Sequence, residues 1–296
     1  MNNKVISGKK KIKLKPFDYI NIILLTLFGI ICLYPFLNQL LISFASQADY
    51  YSATLFVIPK HFNLDSYKFI LLQDRIGSAF LVSLFVTIAG TAYSMVLTIL
   101  GAYGLSRKNM PGRRIFFYFI IITMFFGGGL IPFYLTVREL GLINHLASLI
   151  LPLGINTFNM IILRNFFSQV PESIIESCKI DGANDLTILV RFIVPLSKAG
   201  IATISLFYLV DKWNDWYWPL MFLDDTELIP LALELRNILS ANQSTGIGGG
   251  NIDPGTLFEE GKQSAMIVIA MIPILCVYPF VQRYFVKGVM LGSVKS

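Results

Sequence analysis

The chain has 296 residues, of which 55% are hydrophobic and only 14% are charged, whereas about a quarter of the residues in a soluble globular domain are charged. This composition excludes an ordinary soluble domain and indicates a protein embedded in a lipid bilayer. The formal net charge of +6 does not indicate nucleic-acid binding, because the basic residues form short clusters between apolar blocks.

The predicted elements are six apolar blocks, each long enough for a transmembrane helix of about 20 residues. In chain order they span Tyr19–Ile42, Ser78–Tyr103, Ile115–Leu135, Leu142–Leu163, Ala199–Tyr217 and Ala265–Phe285. A lysine-rich start precedes the first block, whose apolar core is longer than the roughly 7 to 15 residues of a secretory signal, so we expect a retained anchor. The sequence therefore predicts an all-α integral membrane protein with six transmembrane helices.

The basic residues predict how these helices are oriented. In a six-helix arrangement, most of the 24 lysine and arginine residues fall on one side, which the positive-inside rule assigns to the cytoplasm. Both termini are then cytoplasmic, with an arm at 1–18, a transmembrane domain at 19–286 and a tail at 287–296. A glycine-rich outer loop, 218–263, has the composition of a flexible, exposed segment.

The residues that usually carry chemistry are sparse. The three cysteines are far apart with no CxxC pair, and the two histidines have no partner at metal-ligand spacing. The chain has no GxxxxGK[ST] phosphate-binding loop, and its apolar blocks lack the His, Asp and Glu clusters of a membrane-embedded enzyme. We therefore predict no catalytic residue, no metal and no cofactor.

The long segment between the fourth and fifth blocks, 164–198, predicts a helix, a tight turn and a second helix. Pro171 suits a first helical turn, because its missing N–H group would have no partner there. Ile174, Ile175 and Cys178 then share one face of the first helix.

Gly182 follows that periodic run, where a left-handed glycine commonly ends a helix. Asn184 can cap the second helix, and its apolar positions are supplied by Leu186, Leu189, Phe192 and Ile193. On these residues alone, a short helix lying at the membrane interface is an equal alternative.

The same segment resembles the loop signature of binding-protein-dependent ABC importer permeases, written EAA, three residues, G, nine residues, I, one residue, L, P. Glu176, Gly182 and Pro195 have the three anchor spacings. The departures from the signature are small or apolar replacements, namely Ser177, Cys178, Phe192 and Val194.

Three further stretches are similar to the carbohydrate-uptake members of that family, which look like the second permease of the maltose importer and the LplC-type oligosaccharide permeases. These stretches are IDGAN at 180–184, WNDWYWPL at 213–220 and the tail at 284–296. The resemblance implies a type I ABC importer fold, MetI-like, in a bacterial plasma membrane.

The resemblance also implies partners: a second homologous permease subunit, two ATPase subunits and an extracellular solute-binding protein. It implies that the 164–198 segment, here called the coupling loop, docks on the ATPase through Glu176, Lys179, Asp181, Gly182, Ala183 and Pro195. The outer loop would reach the binding protein or would simply connect two helices. A carbohydrate is the expected cargo; amino acids or peptides are the alternative, and a membrane-embedded enzyme is less favoured.

Three groups of polar or aromatic residues inside the blocks are candidates for a translocation path. The second block carries a hydroxyl stripe, for which close helix packing is the stronger alternative. The fourth block carries amides that suit a cavity wall. The fifth ends in aromatic residues, which indicate an interfacial belt or stacking on sugar rings. The candidates are Thr87, Thr91, Ser94, Asn156, Asn159, Trp213 and Trp216.

Overall fold

The computed structural model describes residues 16–53, 58–72, 74–245 and 258–293, and within these ranges all regular structure is helical. The predicted all-α class is therefore confirmed. The lysine-rich arm before Pro16 and the glycine-rich part of the outer loop, 246–257, lie outside the described residues.

The helices follow one another with short connections. The first half of the chain forms α1 (Pro16–Ile42), α2 (Gln47–Ser52), α3 (Asp65–Leu71), α4 (Asp74–Ser106), α5 (Arg113–Phe125), α6 (Leu130–Glu139) and α7 (Ala147–Ile150). The second half forms α8 (Thr157–Ser168), α9 (Glu172–Ile180), α10 (Asp185–Ile188), a π-helix (Leu189–Ile193), α11 (Val194–Leu196), α12 (Lys198–Asn214), α13 (Tyr217–Phe222), a 3₁₀ turn (Thr226–Leu228), α14 (Leu231–Thr245) and α15 (Glu259–Ser293).

Three helices of the described chain, α1, α4 and α15, are long and apolar enough to cross a membrane. Two bent pairs also qualify if each is one span: α5 with α6, bent by 110°, and the segment Asp185–Leu196 with α12, bent by 86°. The third predicted block is therefore two helices rather than one. The glycine run 127–129 ends α5, and Gly129 has φ +88°, a conformation that residues with a Cβ rarely adopt.

The fourth predicted block is also divided, because residues 151–156 between α7 and α8 are not helical. Pro152 has no N–H group to continue a helix. Gly154 packs so closely on α4 that a Cβ at that position would lie 2.5 Å from a ring carbon of Tyr93. The break therefore lets the Gly154 backbone lie directly against the side chains of Tyr93 and Leu97, an approach that a larger residue at 154 would prevent.

The largest buried cluster joins the coupling loop to the long helices. Its members come from α4, α8, α9, α10, the π-helix and α12, and they include Met95, Tyr103, Leu163, Phe167, Ile175, Cys178, Ile188, Ile193, Ile204 and Tyr208. Because protein interiors are close-packed, a displacement of α9 displaces the helices that share this core. The coupling loop is therefore a packed part of the helical bundle.

Candidate coupling loop and translocation cleft

Gly182 ends α9 in the left-handed conformation that the sequence predicts, with φ +79°. The Gly182 N–H donates to the Lys179 carbonyl over 3.0 Å, and the Ala183 N–H donates to the Cys178 carbonyl over 2.9 Å. These two bonds form a Schellman motif, which satisfies carbonyls that the helix end leaves without partners. The turn between the two helices is thus fixed by hydrogen bonds.

The second helix begins as predicted, because the Asn184 side-chain oxygen accepts the Thr187 N–H over 2.8 Å. Its apolar face is only half as expected: Leu189 and Ile193 are buried, whereas Leu186 and Phe192 are exposed. Phe192 lies in the π-helix, in which each turn holds more residues than an α-turn, so its position is rotated out of the α-helical register.

Polar contacts hold the coupling loop against the ends of α4 and α8. The Lys108 ammonium group lies 2.7 Å from a carboxylate oxygen of Glu172, and this hydrogen bond lowers the pKa of Glu172. The Tyr103 hydroxyl donates to Asp185 over 3.3 Å, and the Arg164 side chain donates to the Leu105 carbonyl over 3.4 Å. These bonds fix the orientation of the loop relative to α4.

The side of the loop that faces away from the bundle carries most of the predicted coupling residues. Glu176, Lys179, Asp181, Gly182 and Pro195 are exposed, while Ala183 is half-buried against the large core cluster. These residues are spread along the chain from α9 to α11.

Exposed apolar side chains lie beside these residues, and of these sequence reasoning named only Leu186, as an apolar position of the second helix. Ile180 is 86% exposed, and Leu186 and Val190 are also exposed. The available signal was that Ile180 breaks the apolar periodicity of α9. An apolar edge of this kind, bordered by charged residues, is typical of a protein–protein contact.

A cleft of about 740 Å³ lies where α12 ends. It is lined by Phe133, Pro152, Leu153, Ile155, Asn156, Tyr208, Val210, Asp211, Lys212, Asn214, Asp215, Trp216, Tyr217 and Trp218. Of the path candidates, the cleft contains Asn156 and Trp216. Thr87, Thr91, Ser94, Asn159 and Trp213 are not among its lining residues.

The hydroxyl stripe of α4 lies inside the bundle. At its ends, the Ser83 hydroxyl accepts the Leu231 N–H over 2.8 Å, and Thr98 shares a 2.7 Å hydrogen bond with Tyr208. Between them, the buried side-chain oxygens of Thr87, Thr91 and Ser94 have no hydrogen-bond partner among the described residues. In this state the stripe is a helix-packing surface with unsatisfied polar atoms.

Asn156 caps the start of α8 and also meets α12. Its side-chain oxygen accepts the Asn159 N–H over 3.1 Å, and its own N–H donates to the Tyr208 hydroxyl over 3.0 Å. Asn159 is buried. The non-helical break in the fourth block therefore ends at Asn156, where α8 begins. Asn156 also lines the cleft.

The two path tryptophans have different surroundings. Trp213 is buried, its ring N–H donates to the Ala270 carbonyl over 2.9 Å, and it packs against Phe80. Trp216 is 37% exposed and lies edge-on to Tyr217 in the cleft. Trp213 joins α12 to α15, and Trp216 lines the cleft.

Lys212 has a role that sequence reasoning missed. Its ammonium group donates to the carbonyls of Leu149, at 2.8 Å, and Leu153, at 3.4 Å. These carbonyls belong to the broken fourth block, where no helix supplies them with partners. Non-helical backbone at membrane depth is tolerated when other protein groups satisfy it in this way.

Comparison with known proteins places this arrangement in a family. The polygalacturonan/rhamnogalacturonan transport system permease protein YtcP of Bacillus subtilis is 44% identical over 283 residues, which cover 95% of this chain and 98% of that protein. Protein LplC of Bacillus subtilis is 41% identical over 280 residues, 95% of each chain. No protein-family model matches the chain.

A solved structure matches the fold as well. A chain from the crystal structure of a bacterial ABC transporter involved in the import of the acidic polysaccharide alginate superposes with a TM-score of 0.82 at 33% identity, covering 91% of this chain and 96% of that chain. Identity of this extent over nearly the full length of these relatives is enough to assign the family. The chain belongs to the membrane-embedded permease subunits of carbohydrate ABC importers.

Proposed function

We propose that this chain pairs with a second, homologous permease to form a path for an oligosaccharide through a bacterial plasma membrane, powered by two separate ATPase subunits. The observation that carries the proposal is the Gly182-centred coupling loop, which shares one buried core with the long helices. An extracellular solute-binding protein delivers the sugar. Carbohydrate cargo is supported by the relatives, two of which are named for polysaccharide import.

We propose six membrane crossings, with both termini in the cytoplasm. Five are supported by length and composition, counting each bent pair as one span. The remaining crossing is the divided α7–α8 segment, whose free carbonyls are satisfied by Lys212. The distribution of lysine and arginine supports a cytoplasmic coupling loop.

In this proposal, Glu176, Lys179, Asp181, Gly182, Ala183 and Pro195 form the ATPase contact. They lie on or beside the surface that also exposes Ile180, so the contact combines charged groups with an apolar side chain that a partner can bury. Closure of the ATPase pair on ATP displaces this surface. Because the loop and the long helices share a packed core, the bundle switches between two arrangements instead of deforming gradually.

We propose the cleft at the end of α12 as part of the sugar path. Trp216 offers a ring for stacking on sugar C–H groups, and amide and carboxylate groups beside it can bind hydroxyls. Thr87, Thr91 and Ser94 would join the path only in a state in which α4 and α12 separate and their unpartnered hydroxyls meet water or sugar.

The test is ATP-driven uptake by the reconstituted transporter. The complex that co-purifies with this chain is placed in proteoliposomes with its binding protein, and labelled oligosaccharide is followed with ATP or a non-hydrolysable analogue. We expect the labelled oligosaccharide to accumulate with ATP but not with the non-hydrolysable analogue. Equal uptake without ATP, or purification of this chain with no ATPase attached, would contradict the proposal.

A further inference from the structure

Arg236 on α14 is the starting observation. Its guanidinium carbon lies 3.9 Å from the centre of the Trp216 ring, which is well within the distance of a cation–π contact. The side chain is half-buried, yet among the described residues it forms no salt bridge and no hydrogen bond. Arg236 is not itself a lining residue of the cleft, but it contacts the lining through Trp216, and its N–H donors have no acceptor among the described residues.

The Trp216 ring that holds Arg236 is itself part of the cleft lining. An arginine stacked on an aromatic ring keeps its planar fork of donors at the ring edge, where they can bind a carboxylate with two parallel hydrogen bonds. A sugar ring stacked beside Trp216 would carry a carboxylate within reach of that fork. A neutral sugar would not use it.

The other charges around the cleft do not compete for this role. The Lys212 ammonium group is bonded to two backbone carbonyls. Asp215 accepts the N–H groups of Tyr217 and Trp218 through one oxygen, which caps the start of α13. The acidic side chains Asp211 and Asp215 and the basic side chains Lys212 and Arg236 balance in formal charge. Of the two cations, Arg236 is the one whose donors have no acceptor among the described residues.

We propose that Arg236 and Trp216 form a subsite for an anionic sugar, in which Arg236 binds the carboxylate of a uronic-acid residue and Trp216 supports its ring. This inference rests on the proposed function, because it assigns substrate specificity to the same cleft. It makes Arg236 a residue that selects acidic over neutral oligosaccharides.

The experiment measures equilibrium binding to the transporter complex in lipid nanodiscs, without the binding protein, so that permease selectivity is observed directly. The probes are a galacturonate trisaccharide and its fully methyl-esterified form, which has the same length and no charge. Arg236→Gln should weaken binding of the acid by about tenfold or more, as expected for loss of a charge-assisted hydrogen bond. Binding of the ester should be unchanged.

Arg138→Gln is the control, because it likewise removes one arginine, here from an exposed position on α6 that does not line the cleft. It should leave both affinities unchanged. Arg236→Lys keeps the charge without the planar fork and should fall between wild type and Arg236→Gln.

Three results would overturn the subsite: equal affinity of wild type for the two probes, no binding of either probe, or an equal loss for both probes in Arg236→Gln. The last of these would make Arg236 a structural residue. Each can occur while ATP-driven uptake of oligosaccharide is intact, so failure of the subsite and failure of the proposed function are separate observations.

Discussion

The Lys212 ammonium group donates to the carbonyl oxygen of Leu149 over 2.8 Å, and this bond ties α12 to the broken fourth block. α12 starts directly after the coupling loop and ends at the cleft. In the proposed function, movement of the loop would reach the residues that line the cleft along this one helix.

Removal of the Lys212 ammonium group should destabilise the fold. Lys212→Met keeps a stem that packs near Gly90 but leaves the Leu149 and Leu153 carbonyls without partners. The expected cost is about 1–3 kcal/mol, visible as a lower thermal unfolding temperature in detergent. Lys68→Met, at an exposed lysine of α3, is the control. A Lys212→Met protein as stable as wild type would disprove the structural role.

Substitution of Gly182 should uncouple transport from ATP. A Cβ at this position meets no atom within 4 Å, so the penalty comes from the φ of +79° alone. A left-handed residue with a Cβ costs about 1–2 kcal/mol, more for a β-branched side chain, whereas asparagine tolerates this conformation. Gly182→Val should insert in the membrane but lose ATP-driven uptake, and Gly182→Asn should keep most of it. Equal uptake by both variants would contradict a role for the turn.

An added methyl group at the contact between α8 and α12 should destabilise the fold. A Cβ at Gly200 would lie 2.5 Å from the first ring carbon of Phe166, so Gly200→Ala must push the helices apart, at a cost of about 1–3 kcal/mol. Gly77→Ala on α4, with nothing within 4 Å, should be neutral or slightly stabilising. Thermal unfolding of the two variants decides the matter, and similar shifts would show that the contact is not tight.

Charge reversal should reveal the link between Lys108 and Glu172. Lys108→Glu or Glu172→Lys alone should reduce sugar-stimulated ATPase activity, because like charges then meet at the base of α9; the double variant should recover it. Because the pKa of Glu172 is lowered, the pH at which the ion pair with Lys108 is lost is lowered as well. The pair persists at neutral pH and is lost only when acid protonates Glu172 below the usual range for a glutamate. A double variant no better than the single ones would exclude the pairing.

The features that the sequence predicts well are local ones. The left-handed Gly182 and the Asn184 cap depend on residues within one turn, so their pattern can be recognised without knowledge of the fold. The long apolar helices α1, α4 and α15 can also be recognised from the sequence, because each is a continuous run of apolar residues. The family resemblance of the coupling loop also rests on short spacings.

The features that it misses depend on contacts between distant segments. Trp213 is placed by its hydrogen bond to Ala270, and Arg236 by its contact with Trp216. Neither contact has a local sequence signal. The third and fourth blocks were predicted as continuous helices, but each is divided in two. A run of apolar residues indicates that a segment can cross a membrane and does not indicate where it bends.

Site-directed cross-linking from the tip of α9 tests most directly whether the coupling loop docks on an ATPase. Cys32 and Cys276 are exposed and are replaced by serine, whereas buried Cys178 is kept. Ile180→Cys, at the 86% exposed position beside Gly182, carries the cross-linker, and Leu71→Cys on α3 is the matched exposed control. We expect Ile180→Cys to form a cross-link to a co-purifying ATPase, in a yield that changes with ATP. Leu71→Cys should form no such cross-link. Capture of no ATPase from Ile180, or equal capture from both positions, would contradict it.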